Sequence, residues 1–459
     1  MTTNVPLYLA GHLAPVPDEI DVADLPVTGA LPPELTGRYL RNGPNPRPGE
    51  APGHWFAGHG MVHGIRLRDG RAEWYRNRWV RTGALAGRDR LRPDGTPDRT
   101  VAPANTHVLP HAGKIFALVE SGFPYVLTPE LDTVGPCDFG GRLTTAMTAH
   151  PKVDPVTGEL HFFGYGPRPP YLTYHRLSAA GALVCSAEVG GAGPSMMHDF
   201  AITDRHAVFL DLPITFQPGL LGPGIPYRWD DRYGARLGVM ELDDPGPARW
   251  FEIDPCFVFH VGNAHTDSAG RIVLDGVRYS PADTAAMWGL FGGAQPAAAA
   301  AGAARLHRWV LDPSTGRVDE EPRDDRPVEF PTLDERRVGR ASRYLYAVAD
   351  SGTDAAIVRY DGAGGAVTCH HLGPDVAAGE AVFVPAGSAA GPEDEGWLLT
   401  ITTRRDGSAA QLLVLDATAL GAAPVAAVTL PRRVPAGFHG SWIDDSAHSA
   451  NRSDDEGER

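Results

Sequence analysis

The stretch HPKVDPVTGELHFFGY, residues 150–165, contains two short apolar or alternating runs on either side of a turn signal. Asp154, Pro155 and Gly158 are residue types that favour a tight reversal of the chain. Runs of this length that flank such a signal are typical of two paired strands. The stretch therefore predicts an antiparallel β-hairpin.

The same pattern recurs along nearly the whole chain, without a long helical stretch. It indicates one all-β domain of many strands. Further hairpins are predicted in GIRLRDGRAEWYRNRW (64–79), HVLPHAGKIFALVE (107–120), AITDRHAVFLDL (201–212), DSAGRIVLDGVRY (267–279), LHRWVLDPSTGRV (306–318), AIVRYDGAGGAV (356–367) and LLTITTRRDGSAAQLLVL (398–415).

So many strands need an architecture that leaves few long edges exposed, and radial repetition in a β-propeller is one that scales to this length. The repeats are not visibly self-similar, so a large sandwich or a double barrel stays open from the pattern alone. We expect a single domain over 1–443 and a polar, disordered tail over 444–459, with surface insertions at 294–304 and 386–396.

Composition narrows the class of partner. The formal net charge of −15 argues against nucleic acid as a partner, because a polyanion would be repelled and no basic block interrupts the acidic balance.

The four cysteines lack CxxC spacing, which fits reduced thiols. The first residues do not resemble a signal peptide, and no long apolar run predicts a membrane-spanning helix. We expect a soluble, cytoplasmic protein.

Four of the 18 histidines stand in distinctive surroundings: His150 in TAHPK, His198 in MMHDF, His260 in FVFHVGNA and His439 in GFHGSW. They are too far apart for a local metal motif, so they can share a site only through tertiary structure. Each one alone has an ordinary alternative as a hydrogen-bonded core or surface group. Spacing does not decide between these alternatives.

A resemblance to a known family, which covers nearly the whole chain, decides between these alternatives. The chain resembles the carotenoid cleavage oxygenases, and its motifs occur in the family's order. The segments that carry the resemblance are RYLRNGPNP (38–46), HWFAGHGMVHG (54–64), TAHPKVDPVTGELHFFGY (148–165), MMHDFAIT (196–203), WFEIDPCFVFH (250–260), EFP (329–331), EAVFVP (380–385) and GFHGSW (437–442).

The resemblance implies a seven-bladed β-propeller, with loops and short helices capping one face over an axial Fe²⁺, one per subunit. It implies that His150, His198, His260 and His439 hold the iron and are the catalytic residues. It also implies that Glu120, Glu329 and Glu380 orient three of these imidazoles, without saying which glutamate serves which histidine. An ordinary surface glutamate is the alternative for each.

This set of residues also makes chemical sense. Neutral imidazoles suit Fe²⁺ and leave its charge uncancelled, and an octahedral metal with four ligands keeps positions open for dioxygen or substrate. A carboxylate that accepts the second ring N–H fixes the tautomer of a ligating histidine. Nearby histidines such as His54, His59 and His63 are interpreted as ordinary packing groups rather than a second metal site.

The implied reaction is cleavage of a conjugated C=C bond by O₂ to give two carbonyl products. We expect an apolar tunnel, with Phe123, Tyr125, Phe163 and Trp442 as candidate wall residues. Stilbene-cleaving members of the family have a lysine where this chain has Val119, and residues 81–100 contain no tyrosine to bind a phenol. A buried phenol without such a partner loses roughly 1 to 3 kcal/mol. The sequence therefore favours an apolar carotenoid or apocarotenoid.

Three alternatives stay open: a stilbene dioxygenase, an isomerase-hydrolase acting on a retinoid ester, and a non-catalytic propeller scaffold. Two apolar segments, 216–229 and 285–294, are interpreted as exposed loops. They either contact a membrane peripherally or cap the propeller core.

Overall fold

The hairpin at 150–165 is present in the computed structural model, which describes residues 5–220, 225–292, 303–387 and 391–445. Lys152 and Val153 pair with His161 and Leu160. The second run continues to Tyr165 and pairs on its other side with the next strand. Most of the predicted insertion at 294–304, part of that at 386–396 and the tail from 446 onward lie outside the described residues.

The chain forms antiparallel strands in close succession, each bounded by turns rich in Gly, Asp and Pro. The first thirteen are β1 (Asp21–Ala23), β2 (Val27–Gly29), β3 (Gly37–Pro44), β4 (Gly60–Arg68), β5 (Arg71–Trp79), β6 (His107–His111), β7 (Lys114–Leu118), β8 (Tyr125–Leu127), β9 (Thr133–Pro136), β10 (Lys152–Val153), β11 (Leu160–Tyr165), β12 (Leu172–Leu177) and β13 (Leu183–Glu188). The next ten are β14 (Phe200–Ile202), β15 (His206–Asp211), β16 (Ile214–Phe216), β17 (Tyr227–Trp229), β18 (Ala235–Glu241), β19 (Arg249–Ile253), β20 (Phe257–Thr266), β21 (Ile272–Tyr279), β22 (Arg305–Asp312) and β23 (Arg317–Pro322). The last ten are β24 (Val328–Thr332), β25 (Tyr344–Asp350), β26 (Asp354–Asp361), β27 (Val367–Pro374), β28 (Val376–Ala378), β29 (Val382–Pro385), β30 (Gly396–Arg404), β31 (Ala410–Asp416), β32 (Ala426–Thr429) and β33 (Gly440–Asp444).

These strands form seven sheets of four to six strands, which are the blades of a β-propeller, and one small hairpin, β16–β17. Five blades use strands that follow one another closely in sequence: β6–β9, β10–β13, β14–β15–β18–β19, β20–β23 and β24–β27. Every segment predicted as a hairpin lies within one of the seven blades, although 267–279 contains a turn and only one strand, β21, whose partner β20 precedes the segment. The prediction of an all-β, seven-bladed propeller is confirmed.

The two ends of the chain close the ring. The C-terminal strand β33 pairs with β3, so one blade has the order β1-β5-β4-β3-β33. The N-terminal strand β2 pairs with β32 at the edge of the last blade. Asp445, just beyond β33, accepts hydrogen bonds from Arg38 and Arg66 at 2.6 Å each. Ordered contacts therefore continue past residue 443, and the ring has no unpaired junction.

Apolar side chains from facing blades form the core between them. One cluster joins the first and last blades through Tyr39, Ile65, Leu399 and Leu412, all fully buried. Their neighbours along the strands, such as Leu40 and Leu398, are buried in the clusters on the opposite faces of the two blades, because successive residues of a strand point to opposite faces. Burial between blades is thus the main apolar driving force for assembling the ring.

One helix, α1 (Pro281–Phe291), follows β21, so the interpretation of 285–294 as a loop was wrong for its described part. The Ser280 hydroxyl caps the helix by accepting a hydrogen bond from the Asp283 amide at 3.2 Å. Pro281 lies in the first turn, where a backbone N–H has no partner within the helix, so the lack of that group in proline costs nothing. Met287, Trp288 and Phe291 of α1 pack into or against the neighbouring core cluster, and this tertiary packing offsets the low helix propensity of Gly289. No helix in the described ranges is long and apolar enough to cross a bilayer.

We predict that closure of the ring depends on burial of Ile443 in β33. Its side chain is fully buried beside Leu40 and Val62, so Ile443→Ala should leave a cavity and lower the free energy of unfolding by about 2 to 5 kcal/mol. Urea unfolding measures the effect. The control Val156→Ala removes an apolar group that is 75% exposed and should change stability by about 0.5 kcal/mol or less. Equal stability of the two variants would contradict a role for β33 in closure.

Candidate metal centre

The four predicted histidines lie on or just before edge strands of four different blades. His260 lies within β20, while His150, His198 and His439 lie one or two residues before β10, β14 and β33. Each of these strands occupies an edge position in its sheet. The propeller brings such edges together around its centre, so residues that are distant in sequence become neighbours.

The imidazole rings converge on one region. The Nε2 atoms of His150 and His198 are 3.0 Å apart. Ligand nitrogens of His150, His260 and His439 all lie within 4.8 Å of one another, the one such group of potential metal ligands in the part of the chain that the structure describes. The structure thus brings together all four histidines, three as one compact group and the fourth in contact with His150.

Three carboxylates each accept a hydrogen bond from one of these rings. The contacts establish which glutamate pairs with which histidine. Nδ1 of His198 lies 3.1 Å from Oε2 of Glu120. Nδ1 of His260 lies 2.6 Å from Oε2 of Glu329, and Nδ1 of His439 lies 3.0 Å from Oε1 of Glu380. His150 has no carboxylate partner among the described residues.

Two of the three carboxylates are themselves fixed by further donors. Glu380 accepts a hydrogen bond from the Gly440 amide at 2.8 Å. Glu329 accepts from the Tyr279 hydroxyl at 2.8 Å and from the Phe330 amide at 2.7 Å. These bonds restrict the carboxylate rotamers, so each paired imidazole keeps one orientation.

The carboxylates also determine where the lone pairs point. An ionised carboxylate only accepts hydrogen bonds, so Nδ1 of each paired ring carries the proton. The Nε2 atoms of neutral His198, His260 and His439 are then unprotonated, and their lone pairs point inward. Several lone pairs in one buried place repel one another unless a cation lies between them. The donor set therefore fits a metal ion that prefers imidazole nitrogen.

Burial and neighbouring charges control protonation at this centre. Burial, followed by the other rings, holds the pKa of His150 well below its usual value. Burial also lowers the pKa of His260, but Glu329 reverses this effect and the net shift is upward. Burial raises the pKa of Glu380, but His439 outweighs it and the net pKa is about 2. The glutamates that orient His260 and His439 are thus charged at neutral pH, since the pKa of Glu329 is lowered as well.

Two glycines next to His439 allow the backbone to approach the centre closely. A Cβ atom on Gly437 would lie 2.7 Å from the Asn42 carbonyl oxygen, and one on Gly440 would lie 2.8 Å from the Tyr39 hydroxyl oxygen. Real Cβ atoms essentially never come this close to other atoms. The sequence GFHGSW therefore has its glycines where only glycine fits.

A cavity of about 600 Å³ opens beside the histidines. His198, His260 and His439 form part of its wall, and most of the rest is apolar. The aromatic residues on the wall include Trp55, Phe56, Phe259, Phe291, Phe330 and Phe438. A long apolar molecule in this cavity would lie against the imidazoles of His198, His260 and His439.

The sequence did not identify the cavity wall correctly. Phe123, Tyr125, Phe163 and Trp442 do not line this cavity but pack within blades or hydrogen-bond to loops; the Tyr125 hydroxyl, for example, bonds to the Thr100 carbonyl. Proximity in sequence to a ligand was a poor guide, because alternate residues of a strand face opposite sides. The true wall comes from loops and α1, whose Met287, Leu290 and Phe291 cover the cavity.

Val119 lines the cavity. It occupies the position at which a lysine is expected in a stilbene-cleaving enzyme. Hydroxyl groups are nevertheless close to Glu120, because Tyr165 and Tyr227 reach the same cavity from other parts of the chain. Burial, followed by Glu120, raises the pKa of both phenols. The lack of tyrosine in 81–100 therefore does not mean that the cavity lacks a phenol.

The nearby histidines have separate partners. Nδ1 of His63 lies 2.8 Å from the Tyr75 hydroxyl, and Nε2 of His59 lies 3.2 Å from Glu50. Nδ1 of His54 accepts a hydrogen bond from the Phe56 amide at 3.2 Å. These three histidines do not form a group of potential metal ligands among the described residues.

The fold and the site define a class of protein: a seven-bladed propeller with a buried histidine cluster that opens onto an apolar cavity. The family model described as retinal pigment epithelial membrane protein, RPE65, matches residues 13–444. The chain therefore belongs to the RPE65/carotenoid cleavage oxygenase family.

Several relatives are similar over nearly their full length. A carotenoid cleavage oxygenase of Mycobacterium tuberculosis is 40% identical, covering 95% of this chain and 97% of that protein. Carotenoid 9,10(9',10')-cleavage dioxygenase 1 of Arabidopsis thaliana is 34% identical, covering 96% and 90%.

Solved structures agree with the fold. The lignostilbene dioxygenase of Pseudomonas brassicacearum superposes with a TM-score of 0.84 at 27% identity, covering 97% of this chain and 100% of that one. A cobalt-substituted apocarotenoid oxygenase of Synechocystis has a TM-score of 0.80 at 29% identity, covering 94% and 97%.

We predict that Glu380→Gln weakens metal binding. The amide cannot replace the charged acceptor for Nδ1 of His439, so affinity for a divalent metal should fall roughly 10- to 100-fold. Titration of metal-free protein with Fe²⁺ under anaerobic conditions measures the affinity. The control Glu241→Gln alters another His–Glu pair, in which Nε2 of His206 lies 3.1 Å from the carboxylate, and should have no effect. Unchanged affinity in Glu380→Gln would exclude this carboxylate as a support.

Proposed function

We propose that this protein is a non-haem Fe²⁺ dioxygenase that cleaves a conjugated C=C bond of a carotenoid or apocarotenoid with O₂ and yields two carbonyl products. The observation that carries the proposal is the convergence of imidazole lone pairs on the wall of a large apolar cavity. The names of the Mycobacterium and Arabidopsis relatives support carotenoid cleavage as the reaction.

His150, His198, His260 and His439 would hold one Fe²⁺ per subunit, with Glu120, Glu329 and Glu380 as their supports. Iron would supply the redox chemistry that lets triplet O₂ react with a closed-shell alkene. The cobalt-substituted apocarotenoid oxygenase of Synechocystis supports a metal in this family, because cobalt there replaces another metal. A purely structural site is less suitable, since four imidazoles leave positions open on an octahedral metal.

The protein's own contribution would be placement and exclusion of water. Phe259 packs edge-on against His198 with ring centroids 4.9 Å apart, and Phe330 stacks on His260 at 5.2 Å. These rings restrict the imidazoles and present apolar surface to a polyene. The double bond that lies beside the metal-binding nitrogens would be the one that reacts.

We further propose that residues 1–443 act as one oxygenase domain and that the protein works in the cytoplasm, with peripheral membrane contact during uptake of substrate. The free state of all four cysteines agrees with a reducing compartment. The apolar segments 216–229 and 285–294 would supply the contact, because Met287, Leu290 and Phe291 of α1 already line the cavity.

The function is tested by supplying Fe²⁺-loaded protein with β-carotene, apocarotenals, a retinoid ester and resveratrol under ¹⁸O₂. Labelled carbonyl products from a polyene are expected, identified by mass spectrometry. Labelled benzaldehydes from resveratrol alone would move the assignment to stilbene cleavage, and a hydrolysed and isomerised retinoid ester without label would move it to isomerase-hydrolase chemistry. Bound iron without any turnover would favour a scaffold.

His439→Ala is the matched loss-of-site variant in this experiment. Removal of one nitrogen from the compact group should lower iron content and reduce cleavage by at least about 100-fold, by analogy with the loss of other essential catalytic groups. His206→Ala removes a histidine that pairs with Glu241 away from the centre and should leave iron content and cleavage intact. Full activity of His439→Ala would refute the assignment of that ligand.

Peripheral contact predicts a separate result. Leu220 lies in the segment 216–229 and is 39% exposed, so Leu220→Glu should reduce co-sedimentation with neutral phosphatidylcholine vesicles. Cleavage of detergent-solubilised substrate should stay unchanged, because Leu220 is not on the cavity wall. The control Val134→Glu alters a residue that is 69% exposed on β9. Equal vesicle binding by both variants and the unaltered protein would contradict membrane contact through this segment.

A further inference from the structure

Arg41 is a buried arginine on the wall of the large cavity. It lies in β3 with its Cα opposite that of Gly440, the residue after His439. Its residue exposure is only 4%, yet it borders the cavity together with Phe438 and His439. A permanent positive charge thus lies in a mostly apolar wall, close to the candidate metal centre.

The guanidinium group has no partner in the described structure. Arg38 and Arg66, the other buried arginines of this blade, both form ion pairs with Asp445. No carboxylate oxygen of the described residues lies within 4.0 Å of an Arg41 nitrogen, and Nε of Arg41 is buried without a hydrogen bond. Burial lowers the pKa of Arg41, and the charge of Glu380 is one of the influences that oppose this shift. Glu380, however, already accepts hydrogen bonds from His439 and from the Gly440 amide.

Two glycines fix the position of this side chain. A Cβ atom on Gly379 would lie 3.0 Å from Cζ and Nη1 of Arg41, and one on Gly437 would lie 3.3 Å from Nε. The backbone therefore packs directly against the guanidinium group. A side chain held in this way has little freedom left to lose when it binds a ligand.

An unpaired buried charge is costly, and a guanidinium group has five donors and no acceptor. The ligand that satisfies it best is a planar oxyanion, which can accept two parallel hydrogen bonds. We propose that Arg41 binds the terminal carboxylate of a polyene acid, so that the preferred substrate carries an acidic group at one end. This inference rests on the proposed function, which supplies the polyene.

Other charges at the cavity do not compete for this role. Asp350 borders the same cavity but is paired with Arg405 at 2.5 Å. Glu120 and Glu329 are engaged by His198 and His260. Arg90 also borders the cavity, but Arg90 is exposed rather than buried. Arg41 is the buried arginine on this wall, and its charge has the most to gain from a carboxylate.

Binding can be measured without turnover. The Fe²⁺-loaded protein is kept anaerobic and titrated with all-trans-retinoic acid or with its methyl ester, and Kd is taken from quenching of tryptophan fluorescence. The unaltered protein should bind the acid more tightly than the neutral ester. Arg41→Met should weaken binding of the acid roughly 10- to 100-fold, as expected for loss of a charged hydrogen-bonded partner, and leave ester binding within about twofold.

Two further variants control for indirect effects. Arg278→Met removes an arginine of β21 that does not border the cavity, and it should keep the preference for the acid. Arg41→Lys keeps the charge without the planar fork and should retain part of the preference. If Arg41→Met does not fold, as judged by circular dichroism, the unaltered protein and Arg41→Lys still provide the comparison.

Three results would overturn the proposal: equal affinity of the unaltered protein for acid and ester, an acid preference that survives in Arg41→Met, or equal weakening of both ligands in that variant. The second result would point to Arg90 as the group that binds the acid, and the third to a structural role of Arg41.

The proposal and the proposed function can fail separately. Acid-selective binding that depends on Arg41 without cleavage of any polyene would support Arg41 as the anchor and contradict the proposed function. Cleavage of neutral polyenes by a protein that does not prefer the acid would support the proposed function and contradict the role of Arg41 as an anchor.

Discussion

The hydrogen bonds that Nδ1–H of three imidazoles donates to three carboxylates are the interaction on which the candidate site depends. Each bond puts the proton on the outer nitrogen and leaves the inner one free to bind a cation. The bonds at His260 and His439 involve carboxylates that are further held by Tyr279 and Gly440. Orientation is therefore built into the folded protein before any metal arrives, as expected for a preorganised centre.

The propeller makes this arrangement possible because it turns sequence separation into spatial proximity. Each of the four histidines belongs to the inner edge of a different blade, and closure by β3 and β33 places His439 beside histidines from the middle of the chain. The ring also confines the backbone near the centre, where Gly437 and Gly440 leave no room for a Cβ atom. Stability of the ring and geometry of the site are thus coupled through β33.

The cavity combines two kinds of chemistry. Its aromatic wall suits a polyene, whereas Glu120, Tyr165 and Arg41 bring polar groups to a few defined places. Apolar surface gives affinity for any long hydrophobic molecule, and buried polar groups then select among them. Family membership agrees with this general chemistry, while the relatives include proteins named for carotenoids and for lignostilbene. The choice of substrate must therefore come from the few polar residues on the wall.

The sequence by itself determined the hairpins, since alternating runs and Gly, Asp and Pro turn signals act over short distances. It also supplied the identities of the histidines and glutamates, through motifs that resemble a known family. It missed α1, whose short Ser280 and Pro281 start signal precedes glycines typical of a loop. It also missed the wall of the cavity.

Only the tertiary structure decided which glutamate holds which histidine, which aromatic rings face the cavity, and that Arg41 is left without a carboxylate partner. These properties depend on contacts between blades that are far apart in sequence. Local patterns determine how a strand pairs with its neighbour. They do not determine which side chains meet when the ring closes, because that depends on the packing of all seven blades at once.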